Sequence, residues 1–210
     1  MSLSFPASPS VGQVYQNWIW NGTSWDSAVG VPAAQPGAKV LLRIDIVSAP
    51  VATVDWFTPA SMFDGTYDEL ELHIYNVMPA AENSMQIRVS TDGSTFDGAA
   101  NYVNTWSGAV SSTGANTSGG GAYPGLAVGN VIGITATTGF FGIYKFLLQP
   151  NTTRAAQVLW QAMQQNASNA IGASGGGFYN QTATVQGFRC VFTGAPNITR
   201  GTFKWYGIKK

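Results

Sequence analysis

A single histidine follows two glutamates at alternate positions: Glu69, Glu71, His73. Residues two apart on a strand share a face, which sets neighbouring carboxylates about 6–7 Å apart. Paired carboxylates at such separations carry glycoside hydrolysis, one protonating the leaving oxygen and the other acting as base or nucleophile. The same alternation is the ordinary polar face of a half-buried strand, and the sequence favours that reading, with His73 as an exposed or interface residue. No second histidine and no nearby cysteine completes a usual metal set around it. The run Asp92-Gly93-Ser94-Thr95-Phe96-Asp97-Gly98 places oxygens at alternate positions, as a calcium loop does. It lacks the Asp-x-Asp spacing and the closing bidentate glutamate, and an Asp-Gly hairpin connection explains it. There is no Gly-x-Ser-x-Gly elbow, P-loop or dinucleotide fingerprint. The expectation is a non-enzyme with no catalytic residue, no metal and no cofactor.

The stronger candidates are aromatic. Tyr15, Trp18, Trp20 and Trp25 crowd one short stretch around Asn21-Gly22. Asn and Gly accept the positive φ of a two-residue hairpin turn, so two β-rich runs are expected to pair there, with Trp18 and Trp20 on one face. A hairpin this small cannot bury three indoles on itself. Tyr15, Trp18, Trp20 and Trp25 are therefore candidate attachment or ligand-contact residues, suited either to a protein interface or to stacking on a sugar. Packing against the rest of the chain is the competing explanation.

This stretch resembles a short module of tailed-bacteriophage virion proteins, especially tail fibres and other appendages. The pattern, Pro-x-x-Pro-x-x-Gly-Gln followed by Trp-x-Trp-Asn-Gly and a further Trp, is carried by Pro6, Pro9, Gly12, Gln13, Trp18, Trp20, Asn21, Gly22 and Trp25. The stretches 63–72, 85–93 and 198–208 look, in outline, like the C-terminal β-sandwich of such proteins. The resemblance implies a structural virion component (fibre, collar or head decoration) that is assembled in a host cytoplasm and has other virion proteins as partners. Fibres of this kind are commonly trimeric, so a homo-oligomer, with a trimer favoured, is expected. The alternative is a receptor-binding module that recognises a bacterial surface glycan.

Composition agrees with an assembled protein. Of 210 residues, 10% are charged and 45% hydrophobic, against about 25% charged in ordinary soluble chains. Ten basic residues balance ten acidic ones, so nothing points to nucleic acid or to a membrane surface. A charge-poor, neutral surface favours association. Ser and Pro interrupt the first ten residues, and no apolar run is long enough to span a bilayer. The lone Cys190, within the apolar run 188–192, reads as a buried free thiol.

The elements that must hold these residues are strands. The expected fold is all-β: a hairpin module over 1–30, a Pro/Gly linker over 31–37, and a jelly-roll-like antiparallel β-sandwich over 38–210. Period-two alternation is clearest over 67–77, where Leu70, Leu72 and Ile74 oppose Glu69, Glu71 and His73. Strands are also expected over 40–47, 51–57, 85–89, 102–110, 142–148, 155–165, 182–192 and 202–208. The run 155–165 also suits a helix, but Val158, Trp160 and Ala162 alternate. Trp56, Trp106, Trp160 and Trp205 are expected in the core. The Gly-rich stretches 107–125 and 166–177 fit no strand and read as long loops that contact a partner or a neighbouring subunit.

Overall fold

The computed structural model describes residues 14–15, 18–20, 23–27, 37–57, 66–110, 116–127, 139–148, 156–165 and 170–210. Of the expected linker over 31–37, residues 31–36 lie outside them. The chain forms two compact units, Met1–Ala38 and Lys39–Lys210.

In the first unit β1 (Val14–Tyr15), β2 (Trp18–Trp20) and β3 (Trp25–Ser27) form an antiparallel sheet in that order. Trp20 pairs with Trp25. Four residues, 21–24, therefore join β2 to β3, rather than the two-residue turn expected from Asn21-Gly22; both of those residues lie outside the described set.

The second unit is a β-sandwich of β4 (Lys39–Val47), β5 (Val54–Phe57), β6 (Tyr67–Pro79), β7 (Met85–Ser90), β8 (Tyr102–Val110), β9 (Asn116–Tyr123), β10 (Leu126–Ala127), β11 (Phe140–Leu148), β12 (Ala156–Gln165), β13 (Ala170–Tyr179), β14 (Gly187–Phe192) and β15 (Ile198–Lys209). The large sheet has the order β4-β15-β6-β11-β12-β13-β8-β9, the small one β10-β7-β14-β5, and every pairing is antiparallel. The chain changes sheet at eight of the eleven steps from β4 to β15. β15 lies between β4 and β6, so the first and last strands of the unit are hydrogen-bonded neighbours.

Alternation drives the packing. Leu70, Leu72 and Ile74 of β6 face the interior, as do Tyr144 and Phe146 of β11 and Val158 and Trp160 of β12. The small sheet covers them: Phe188 sits 4.7 Å from Phe146 and 5.0 Å from Trp205, and Trp56 sits 4.6 Å from Trp205, centroid to centroid. Each buried phenylalanine removes enough apolar surface from water to contribute about 1.5–3 kcal/mol. Trp56, Trp106, Trp160 and Trp205 are all core residues, and Cys190 is buried and free.

Where the Gly-rich stretches are described, they are mostly strand rather than loop. Residues 107–110, 116–123 and 170–179 are strand. Indoles explain how glycine holds a place in a sheet, where its flexibility ordinarily counts against it. Trp205, Leu72, Tyr144, Trp160, Gly175, Trp106 and Gly119 stand in register across seven neighbouring strands. The Trp160 ring lies across Gly175, where a Cβ would come within 2.5 Å of Cζ2, and the Trp106 ring lies across Gly119, where a Cβ would come within 2.7 Å of Nε1. Each indole fills the space its paired glycine leaves, which is the close approach that marks glycine inside a strand.

Asp92-Gly93 is likewise not a hairpin turn. β7 and β8, on either side of it, belong to different sheets. The Asp92 carboxylate accepts the backbone N–H of Ser94 at 2.8 Å and of Thr95 at 2.7 Å, closing a local turn in the crossover.

Candidate functional site

The sandwich presents its functional possibilities on the outer face of the large sheet. β6 brings Glu69, Glu71, His73 and Tyr75 there; β15 adds Lys204 and Tyr206, β4 adds Lys39, and β11 adds Lys145. Lys39 forms an ion pair with Glu71. Lys145 Nζ lies 2.9 Å from Glu71 Oε1 and 3.2 Å from Glu69 Oε1. His73 Nε2 is 2.9 Å from Glu71 Oε2, and its Nδ1 is 3.0 Å from the Tyr75 hydroxyl. Lys39 also sits over the Tyr206 ring at 4.5 Å, and Lys204 over Tyr75 at 5.3 Å.

These neighbours leave the outward-pointing Glu71 side chain only 8% exposed. Burial pushes its carboxyl up, but hydrogen bonds from Lys39, Lys145 and His73 outweigh that and hold it at about 2. A carboxyl held ionised this firmly is no reservoir of protons for a leaving group. Glu69 and Glu71 share Lys145 as a counter-ion, an arrangement that neutralises a sheet face. It does not separate two carboxyls into acid and base roles. His73 joins the same network and, among the described residues, no cluster of His, Cys, Asp and Glu suits a metal ion.

Around this paired island the face is apolar. β4 exposes Leu41, Ile44 and Ile46, β11 exposes Phe141, Ile143 and Leu147, and β12 exposes Leu159 and Met163. Leu159 is 59% and Met163 54% exposed. Phe141, Ile143, Leu159 and Met163 lie on the adjacent strands β11 and β12, and exposed side chains of this size on neighbouring strands mark an interaction surface. Beyond β12 the relief falls away. β13, β8 and β9 carry Gly172, Ser174, Gly176, Thr105, Ser107, Ser118 and Gly120 outward, and a hollow of about 790 Å³ opens over Thr105, Ser107, Ser174 and Gly176, walled by Leu159 and Lys145.

Sequence reasoning turned to the N-terminal aromatics instead. The register pairs Tyr15 with Trp18 and Trp20 with Trp25, so all four occupy one small ladder; their side chains lie outside the described set. The exposed apolar residues of the large sheet had a signal in the sequence: Leu159 and Met163 alternate with Val158, Trp160 and Ala162, leaving apolar residues on both faces of β12. The Gly-rich stretches proposed as partner-contacting loops instead supply the floor of the hollow. Among the described residues, no helix is long and apolar enough to cross a membrane. No protein-family model matches this chain, and no curated protein matches it.

Proposed function

We propose that this chain is a non-enzymatic structural component of a tailed-phage virion, in a fibre, collar or head-decoration position, attached through its N-terminal module and presenting its β-sandwich. The observation that carries the reading is the Trp-rich N-terminal stretch. It resembles a virion module, and it folds as a three-stranded sheet whose strands are only two or three residues long, in a unit of its own. A unit of this size, Met1–Ala38, lies below the roughly 40 residues at which a domain usually stands without a disulfide, metal or partner and is suited to completion by a partner. The sandwich has a continuous core of its own. The neutral, charge-poor composition and the apolar outer sheet face also favour an assembled protein.

The test is incorporation into particles. Trp18→Ala combined with Trp20→Ala should leave the sandwich folded, by circular dichroism and thermal melting, and deplete the protein from purified virions. Interface tryptophans are commonly worth about 2 kcal/mol or more each. Normal incorporation of the double variant would sink the proposal.

A further inference from the structure

We infer that the outer face of the large sheet is a self-complementary interface, and that its occupant is a second copy of this chain related by a two-fold axis. The face has two unlike halves. From β4 to β12 it is a ridge of large side chains, crowned by Leu159 and Met163; from β13 to β9 it is a hollow floored by glycine, serine and threonine, closed at one end by Val103 and Phe178. An isologous contact needs one patch that carries both a projection and its receptacle. A two-fold axis lying in the interface, along the boundary of β12 and β13, supplies that match. About this axis each outward residue of β12 meets the copy of its β13 ladder partner, and residues of β11 meet those of β8. Leu159 meets Gly176, Met163 meets Gly172, and Ile143 of β11 meets Ser107 of β8, three strands away in the sheet.

Area and charge agree. The axis superposes β6-β11-β12 on β13-β8-β9, leaving β15 and β4 overhanging at the rim. Six strands at about 4.8 Å spacing and about nine residues at about 3.3 Å rise give a face of roughly 850 Å², against about 800 Å² per partner in a stable interface. Every charged side chain on the face lies in the ridge half, where Glu69, Glu71, Lys39 and Lys145 already neutralise one another. β13, β8 and β9 contain no charged residue at all. The pairing therefore sets ridge charges against an uncharged surface and brings no like charges together. The inference needs neither the N-terminal module nor a virion, and a two-fold contact differs from the trimer that the resemblance implies.

Light scattering on the full chain at rising concentration tests it, with the dimer expected at twice the 22.2 kDa chain mass. Leu159→Asp removes the crown of the ridge, and Ser174→Arg fills the hollow. Each should weaken self-association by about tenfold or more. Ile46→Asp, on the overhanging β4 and 73% exposed, should leave the dimer intact. Hydroxyl-radical footprinting of the wild type needs no variant: Leu159 and Met163 should become protected only in concentrated solution. A monomer at high concentration, a trimer, dimers that survive both interface variants, or footprints that ignore concentration would each overturn the inference. So would a monomer that binds surface glycans on an array and loses them with Ser174→Arg. Normal dimerisation of the Trp18→Ala, Trp20→Ala variant that fails to enter virions would separate this contact from the attachment role.

Discussion

Glycine and indole are matched across β12, β13 and β8, and Gly175 is the sharpest place to perturb that match. A Cβ built there lies 2.4 Å from the Thr105 carbonyl oxygen and 2.5 Å from Trp160 Cζ2. The first neighbour is backbone and cannot swing away. The second belongs to a ring that is 3% exposed and stands 6.4 Å from Tyr144, centroid to centroid. Gly175→Ala must therefore spread the β13–β8 ladder or push Trp160 from its rotamer, an overpacking cost of about 1–3 kcal/mol. Loss of glycine's freedom in the unfolded chain offsets about 0.4–1 kcal/mol of that. The net expectation is a loss of up to about 2.6 kcal/mol, at about 2–4 °C of melting temperature per kcal/mol for a domain of this size. Gly172→Ala is the control on the same strand, where a Cβ meets nothing within 4 Å; it should be neutral or slightly stabilising. Urea denaturation followed by tryptophan fluorescence reads both. If Gly175→Ala is as stable as Gly172→Ala, the indole-over-glycine account of these strands is wrong.

The Tyr144 hydroxyl is buried without a hydrogen-bond partner, so Tyr144→Phe should be neutral or stabilising by up to about 1–2 kcal/mol; a clear loss in the same urea assay would show that the hydroxyl is satisfied. Tyr179→Phe should go the other way, costing about 1–2 kcal/mol, because its hydroxyl donates to the Asp97 carboxylate at 2.8 Å. Glu71 is held at about 2 against an ordinary 4.5. A depressed carboxyl contributes stability that is complete above the unfolded value and disappears as pH falls through the folded one. The wild type should therefore lose stability between about pH 4.5 and pH 2 more steeply than Glu71→Gln, and parallel urea midpoints across that window would refute the ion-pair reading.

Much of the architecture was legible because it is written in alternation. β6 reads directly from Leu70, Leu72 and Ile74 against Glu69, Glu71 and His73, and Val158, Trp160 and Ala162 correctly outweigh the helical bias of β12. What stayed hidden depends on partners. β9 and β13 have no hydrophobic period, since their strand character comes from Trp106 and Trp160 on neighbouring strands. The Asp92-Gly93 turn carries hairpin residues but joins strands of different sheets, a distinction set by where Ser90 and Tyr102 pair. The apolar outer face escaped notice because a strand with large residues on both sides looks merely hydrophobic until the sheet's two faces are known. The ion-paired state of Glu71 depends on Lys39 and Lys145, which are remote in sequence and adjacent only in the sheet.

The position of β15 has a consequence for how the sandwich is made. β4 ends at Val47, and its ladder partner among the described residues begins at Ile198. With roughly 150 residues between them and synthesis at about 5–20 residues per second, β4 waits about 8–30 s on the ribosome for the strand that completes it. Through that interval Val40, Leu41, Leu42, Ile44, Ile46 and Val47 form an apolar segment with no place in a sheet, the kind of segment that pairs with other nascent chains. Closure of the large sheet must therefore await the synthesis of β15, and the yield of folded protein should depend on crowding among nascent chains and on chaperone holding more than on the stability of the finished sandwich.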